Sequence, residues 1–245
     1  GYPSVSGPIL SPTTVSEVIA GLADRGIFPN CRAILSGYLG SVELGEVVLS
    51  TVLKIRKENS HALYCCDPVM GDREKQIYVK DGIPDFFREE IIPHATFLIP
   101  NQFELEQLCG HAFHSTKDMV DAARQLIDHG PEIVVVTSVE LTDIGDVAAG
   151  EILSVYAITK DNAYYVQTPH IPLKYPASGA GDIAAALFLG RYLKSPDVEG
   201  ALSYMAATIF SLLDHTYGLN QREIALISGQ HLIAEPSHRF PVFSI

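Results

Sequence analysis

The chain has 245 residues, 47% of them hydrophobic, and a formal net charge of −12. This length and apolar content can bury a sizeable core, and we expect a single domain over residues 1–245. The acidic balance, without a basic stripe, argues against binding to nucleic acid or to an anionic membrane. These 245 residues contain neither the apolar h-region of a secretory signal nor an apolar stretch of membrane-spanning length.

The cysteines indicate a reducing compartment. Cys31, Cys65, Cys66 and Cys109 contain no C-x-x-C pair, and Cys65 and Cys66 lie side by side in an apolar run typical of a buried strand. We interpret them as reduced core thiols of a cytoplasmic protein.

Apolar, β-branched runs alternate with amphipathic stretches, which is the pattern of parallel βαβ units in an α/β fold. The elements predicted first are a helix opening at Ser11, a strand over 32–35, a helix over 42–57, a strand over 62–66, a short helix over 83–91 and a strand over 96–99. Helices over 102–109 and 117–128 and a strand over 132–136 come next. After them we predict an antiparallel hairpin of 152–159 with 163–168, helices over 183–193, 199–215 and 222–232, and a short edge strand within 237–245.

The beginning of the chain carries no strand pattern. Residues 1–6 include no initiating Met, and the first clear strand starts only near Arg32. A doubly wound sheet usually takes a central strand from an early βα unit. We therefore expect a further N-terminal βα segment to precede Gly1 in the intact protein.

Polar residues follow four of the predicted parallel strands. The strands end at Tyr38, Asp67, Asn101 and Thr137. The carboxyl ends of parallel strands lie on one edge of an open sheet, which is where α/β proteins bind ligands. Strand ends also need polar loops for structural reasons alone, but four of them together with a glycine-rich helix start favour a functional site.

That helix start is Gly179-Ala180-Gly181-Asp182. Its glycines allow close approach of a ligand, and the N–H groups and the helix dipole favour an anion. A carboxylate beside a bound phosphate suits an Asp182 that accepts the proton of an alcohol during phosphoryl transfer. The alternative is that Asp182 is an ordinary helix-capping aspartate.

Three carboxylates are candidates for Mg²⁺ binding. Asp67 and Asp72 lie just past a predicted buried strand, and Glu104 lies in the first turn of the following helix. Oxygen ligands that leave room for water suit this cation. Asp72 is also compatible with a solvated turn, and Glu104 with a simple complement to the helix dipole.

Other common site patterns are absent from the sequence. His111 and His114 lack a third ligand nearby, and neither H-E-x-x-H nor G-x-S-x-G occurs. There is no G-x-x-x-x-G-K-[ST] loop, and no early G-x-G-x-x-G that would indicate a nicotinamide oxidoreductase. Basic residues interleaved with aromatics, as in RNA-binding proteins, are also lacking.

The run 178–182 resembles the glycine-rich signature of the ribokinase superfamily, whose final Asp is the catalytic base. Asn101 and Glu104 resemble its N-x-x-E element, which is associated with Mg²⁺ and phosphates. Together with the runs 36–41, 66–72, 100–104 and 135–138, they resemble the pyridoxal kinases within that superfamily. The resemblance implies a ribokinase-like, three-layer α/β/α fold with a mainly parallel central sheet.

The same resemblance implies roles for individual residues. Tyr38 would line the substrate pocket, and Asp182 would deprotonate the 5′-hydroxymethyl group of pyridoxal, pyridoxine or pyridoxamine. Gly179, Ala180 and Gly181 would form the anion hole. Asp67 and Asp72 would lie near metal and phosphates. ATP or its ions would contact Asn101, Glu104, Thr137 and Ser138, and the adenine would lie near Leu173, Lys174 and Tyr175. A K⁺ ion beside the nucleotide and a homodimer are also implied.

Two departures from the family pattern concern hydroxyl groups. Ile99 stands where some members have Thr, and Ala180 where many have Thr. Two alternative functions stay open: a hydroxymethylpyrimidine kinase, which shares the fold, the base and the anion hole, and a catalytically silent protein that binds vitamin B6. The stretch 37–40 favours pyridoxal over the pyrimidine.

Overall fold

The computed structural model describes residues 10–144 and 150–245. The prediction made for residues 1–6 lies outside this part of the chain. Nine strands are described: β1 (Ala33–Ser36), β2 (Leu63–Cys66), β3 (Gly71–Asp72), β4 (Gln76–Ile77), β5 (Phe97–Leu98), β6 (Ile133–Val139), β7 (Ile152–Ile158), β8 (Ala163–Pro169) and β9 (Val242–Ser244). The eight described α-helices are α1 (Pro12–Ala23), α2 (Val42–Glu58), α3 (Ile83–Phe86), α4 (Gln102–Cys109), α5 (Thr116–Ile127), α6 (Ala180–Lys194), α7 (Val198–Gly218) and α8 (Gln230–Ala234).

Seven strands form the central sheet in the order β1-β2-β5-β6-β7-β8-β9. The first four strands in this order are parallel, because helices connect them. The remaining pairings are antiparallel, including the predicted hairpin of β7 with β8 and the predicted edge strand β9. The parallel half carries the strand ends that the sequence identified.

Side chains of each strand alternate between two cores, one on each face of the sheet. Tyr64 and Leu98 face the core formed with α2, α4 and α5. Their neighbours Cys65 and Phe97 face the core formed with α6 and α7. The molecule therefore has the predicted three α/β/α layers. No helix in the described part of the chain has the length and apolar character needed to cross a membrane.

One predicted helix is wrong. Of the residues 222–232, only those of α8 are helical, and α8 begins at Gln230. The backbone N–H of Ala225 bonds instead to the hydroxyl of Thr216 in α7, at 3.0 Å. Ile227 is 89% exposed, so the apolar spacing there does not mark a buried helix face.

Candidate active site

Three backbone hydrogen bonds align the ends of the parallel strands. The N–H of Asp67 donates to Ser36, that of Ile99 to Cys66, and that of Thr137 to Pro100, at 2.8–2.9 Å. A cavity of about 400 Å³ opens at this edge of the sheet. Its walls include most of the predicted site residues, namely Tyr38, Asp67, Asp72, Asn101, Glu104, Thr137, Ser138, Gly179, Ala180, Gly181 and Asp182.

The remaining predicted residues lie in a neighbouring cavity. Leu173, Lys174 and Tyr175 line a space of about 340 Å³. It shares the walls formed by Pro176 and Ala177 with the first cavity. The two spaces thus adjoin across the segment that leads into α6.

Lys75 and Tyr78 also line the first cavity, although the sequence did not single them out. Lys75 lies in the turn between β3 and β4, and Tyr78 directly follows β4. This antiparallel hairpin was not predicted, because two-residue strands show no alternation. The sequence feature that could have indicated this turn is Asp72, three residues before Lys75. Its carboxylate accepts the N–H of Lys75 at 2.7 Å, as in turns stabilised by an aspartate, and lies 3.2 Å from the ammonium group.

The N-terminus of α6 forms one wall of the first cavity. Gly179 is the N-cap residue and has φ +91°, a left-handed conformation that favours glycine. Asp182 is the third residue of the helix and is exposed. A methyl group added to Gly181 would lie 3.6 Å from Oδ2 of Asp67, and one added to Gly37 would lie 3.4 Å from Oδ1 of Asp182. The N–H of Ala180 donates to the carbonyl of Ala177 at 3.1 Å. Those of Gly181 and Asp182 have no acceptor within the helix, so they can serve an anion.

Glu104 is held by backbone donors. Its Oε1 accepts the N–H groups of Met70 (2.9 Å) and Gly71 (3.4 Å), and its Oε2 accepts the N–H of Asn101 (2.9 Å). The side chain of Asn101 in turn accepts the N–H of Glu104 at 2.9 Å, which completes a capping box at the start of α4. The Glu104 side chain therefore joins the ends of β2 and β5, a contribution that the sequence did not reveal.

The carboxylates of Asp67, Glu104 and Asp182 lie close enough to repel one another. Asp67 is only 5% exposed, and burial together with the charges of Glu104 and Asp182 raises its pKa to about 8. Burial raises the pKa of Glu104 to about 7, although its three backbone hydrogen bonds act in the opposite direction. A bound cation would relieve this repulsion. Within the described residues, no three His, Cys, Asp or Glu side chains are arranged to hold a metal by themselves.

The end of β6 also contributes to the wall of the first cavity, through Thr137 and Ser138. Ser138 has φ +51°, and the pairing of β6 with β7 shifts register between Val136 and Val139. Such an irregularity changes the direction of the strand and of its side chains at the edge of a sheet. Thr137 pairs in parallel with Asn101, so both residues lie on the same wall as the start of α4.

Comparison with known proteins agrees with this geometry. The model of the phosphomethylpyrimidine kinase family matches residues 12–225. A pyridoxal kinase of Rubrobacter xylanophilus is 43% identical over 242 residues, which cover 99% of this chain and 82% of the relative. One of Deinococcus radiodurans is 36% identical over 244 residues, covering 98% and 80%.

Solved structures show the same fold. Pyridoxal kinase of Entamoeba histolytica superposes with a TM-score of 0.87 at 24% identity, covering 100% of this chain and 84% of that one. Pyridoxal kinase of Leishmania donovani in complex with ADP and pyridoxamine gives 0.88 at 23% identity, covering 100% and 85%. The ribokinase-like fold expected from the sequence is confirmed, and the chain belongs to the phosphomethylpyrimidine kinase family.

Proposed function

We propose that this chain is a pyridoxal kinase, which transfers a phosphoryl group from ATP to the 5′-hydroxymethyl group of pyridoxal and related B6 vitamers. The observation that carries the proposal is that the Asp182 carboxylate and the first turn of α6 form one wall of the cavity at the strand ends. A base for the alcohol and donors for the phosphoryl group thereby lie side by side. Relatives named as pyridoxal kinases, 34–43% identical over nearly the full chain, support the same activity.

The transfer then uses groups of this chain in two ways. Asp182 accepts the proton of the substrate hydroxyl, which increases the nucleophilicity of its oxygen. The N–H groups of Gly181 and Asp182, with the dipole of α6, stabilise negative charge on the transferring phosphoryl oxygens. Gly179 and Ala180 shape this anion hole, and Tyr38 lines the side on which the vitamer binds.

The nucleotide occupies both cavities in this proposal. Its phosphates lie near Asn101, Thr137 and Ser138 in the first cavity. Its adenine lies in the second, beside Leu173, Lys174 and Tyr175. The two cavities adjoin at Pro176 and Ala177, where one nucleotide would extend from the first into the second.

The acidic side of the cavity fits a hard divalent cation. Asp67, with its raised pKa, and the partly exposed Asp72 offer oxygen ligands, and Glu104 fixes the loop between them. We assign Mg²⁺ to Asp67 and Asp72, with Glu104 acting through water, a mode common for this cation. When bound, Mg²⁺ neutralises phosphate charge. The family resemblance adds a K⁺ ion, a homodimer and a cytoplasmic location, and the four free cysteines suit that location.

A comparison of substrates tests the proposal. The purified protein is assayed with ATP and Mg²⁺ on pyridoxal, pyridoxine, pyridoxamine and hydroxymethylpyrimidine. We expect kcat/KM to be highest for a B6 vitamer. The family description makes the pyrimidine the second candidate, and a higher kcat/KM on it would overturn the vitamer assignment. Binding of pyridoxal without any ATP turnover would instead identify a silent vitamin-B6-binding protein.

A further inference from the structure

Two adjoining cavities lie along α6 away from its N-terminus. Their volumes are about 680 and 370 Å³. Both are lined by Arg191, Tyr204 and Ala234. Because an α-helix rises about 1.5 Å per residue, Arg191 lies about 13 Å along the axis from Asp182. The paired cavities, called here the α6–α8 cavity, share no lining residue with the proposed kinase site.

The charge lining the α6–α8 cavity is entirely positive. Arg191, Lys194 and Arg239 contribute to its walls, and no Asp or Glu does. Among the described residues, none of these three cations forms an ion pair with a carboxylate. This is unusual in a chain with 29 acidic and 17 basic residues. The cavity is therefore complementary to an anion.

The dipole of α6 explains the positions of only two of these three cations. Arg191 and Lys194 lie in the last turn of α6, where cations complement the helix dipole. Arg239 comes from the chain after α8, and its Nη1 donates to the carbonyl oxygens of Pro236 and His238 at 2.7 and 3.0 Å. Two distant stretches of chain thus bring cations to one place, which the dipole of a single helix does not explain.

The same cavity has a flat, fixed apolar surface. The Tyr204 hydroxyl donates to the carbonyl of Ile233, and the Arg191 guanidinium lies 5.8 Å from the Tyr204 ring centroid. Gly190 lies in the interior of α6, where glycine costs about 0.5–1 kcal/mol relative to alanine. A methyl group added there would meet no atom within 4 Å. The space over Gly190 is thus not required by packing within the described chain, and it leaves room for a ligand.

We propose that the α6–α8 cavity is a second binding site, specific for small organic phosphates with a flat ring. The phosphate would bind Arg191 and Lys194, since a guanidinium can donate two parallel hydrogen bonds to phosphate oxygens. The ring would pack on Tyr204 in the space over Gly190. The volume of about 680 Å³ is typical of sites for small molecules, which span about 300–1,000 Å³.

Calorimetric titration of the whole chain with phenyl phosphate and with inorganic phosphate tests this site. A non-hydrolysable ATP analogue and pyridoxal are kept at saturation, so that the kinase site is filled. The test variant is Arg191→Gln/Lys194→Gln. The matched control is Lys117→Gln/Lys160→Gln, which removes the same charge from side chains that are 85% and 77% exposed.

We expect wild type and control to bind phenyl phosphate alike, and the test variant to bind it at least about tenfold more weakly, the effect of one lost charge-assisted contact. Phenyl phosphate should bind more tightly than inorganic phosphate, because the ring buries apolar surface. Absence of binding once the kinase site is filled, or equal weakening in both double variants, would overturn the proposal. So would equal affinity for the two probes. A changed sedimentation coefficient in the test variant alone would identify a protein–protein contact instead.

Discussion

The carboxylate of Glu104 accepts the backbone N–H of Met70 at 2.9 Å, across 34 positions of sequence. Its other oxygen accepts the N–H of Asn101. An amide at position 104 offers one acceptor oxygen and one donor NH₂ group, so one of these backbone N–H groups would face another donor. We predict that Glu104→Gln lowers the free energy of unfolding by about 1–3 kcal/mol, the cost of a buried unsatisfied group, and raises the Mg²⁺ concentration needed for half-maximal activity.

Glu43→Gln is the matched control for this change. Glu43 also lies in the first turn of a helix, but it is fully exposed. Urea denaturation and Mg²⁺ titration of both variants give the answer. Equal stability of the two variants would show that the backbone contacts of Glu104 are unimportant. A poorer Kd for pyridoxal with an unchanged Mg²⁺ response would contradict its proposed metal role.

Asp182→Asn isolates the proposed base. The change keeps the size of the side chain but removes proton acceptance, which contributes about 10²–10⁴-fold in general-base catalysis. We predict a fall in kcat of this order with nearly unchanged ATP affinity, measured by a coupled assay and by calorimetry. Asp118→Asn changes the same third position of another helix, α5, and should retain turnover. A kcat near the wild-type value for Asp182→Asn would remove Asp182 from the mechanism.

The ends of the parallel strands could be predicted from the sequence, because neighbouring residues determine where each strand ends. A buried apolar run followed by Asp67 or Asn101 can be recognised in the sequence itself, and parallel pairing brings such strand ends together. The sequence predicted a metal role for Glu104 but not its hydrogen bond to Met70, because Met70 lies in the connection that follows another strand. Residues 222–229 show the same limit, because a tertiary contact of Ala225 with Thr216 replaces the helix that their apolar spacing suggested.

Gly181→Ala should affect thermal stability and catalysis in different ways. The added methyl group would make only ordinary contact, 3.6 Å from Asp67 Oδ2, and alanine favours helix by about 0.5–1 kcal/mol. It would, however, project into the space that we assign to the phosphates. We predict equal or higher thermal stability and a lower kcat. Gly218→Ala, at the end of α7 with open space around it, should leave turnover unchanged. Full turnover of Gly181→Ala would show that phosphate does not approach α6 closely.

The raised pKa of Asp67 predicts how stability depends on pH and on Mg²⁺. Its pKa rises from 3.8 to about 8 on folding, chiefly through burial and then through Glu104 and Asp182. The folded state therefore binds the proton more tightly than the unfolded state. It follows that the free energy of unfolding falls as pH rises from about 4 to about 8. Because a cation beside the carboxylates favours their charged form, excess Mg²⁺ should reduce this fall.

Urea denaturation between pH 5 and pH 9, in EDTA or in excess Mg²⁺, measures both effects. Asp67→Asn removes the titrating group, and we expect this variant to lose stability less steeply with pH in EDTA and to respond less to Mg²⁺. Glu104, with a pKa of about 7, continues to titrate in that variant, so a smaller slope will remain. Identical pH profiles for wild type and Asp67→Asn would show that the Asp67 carboxylate is solvated, and would withdraw it from the proposed metal site.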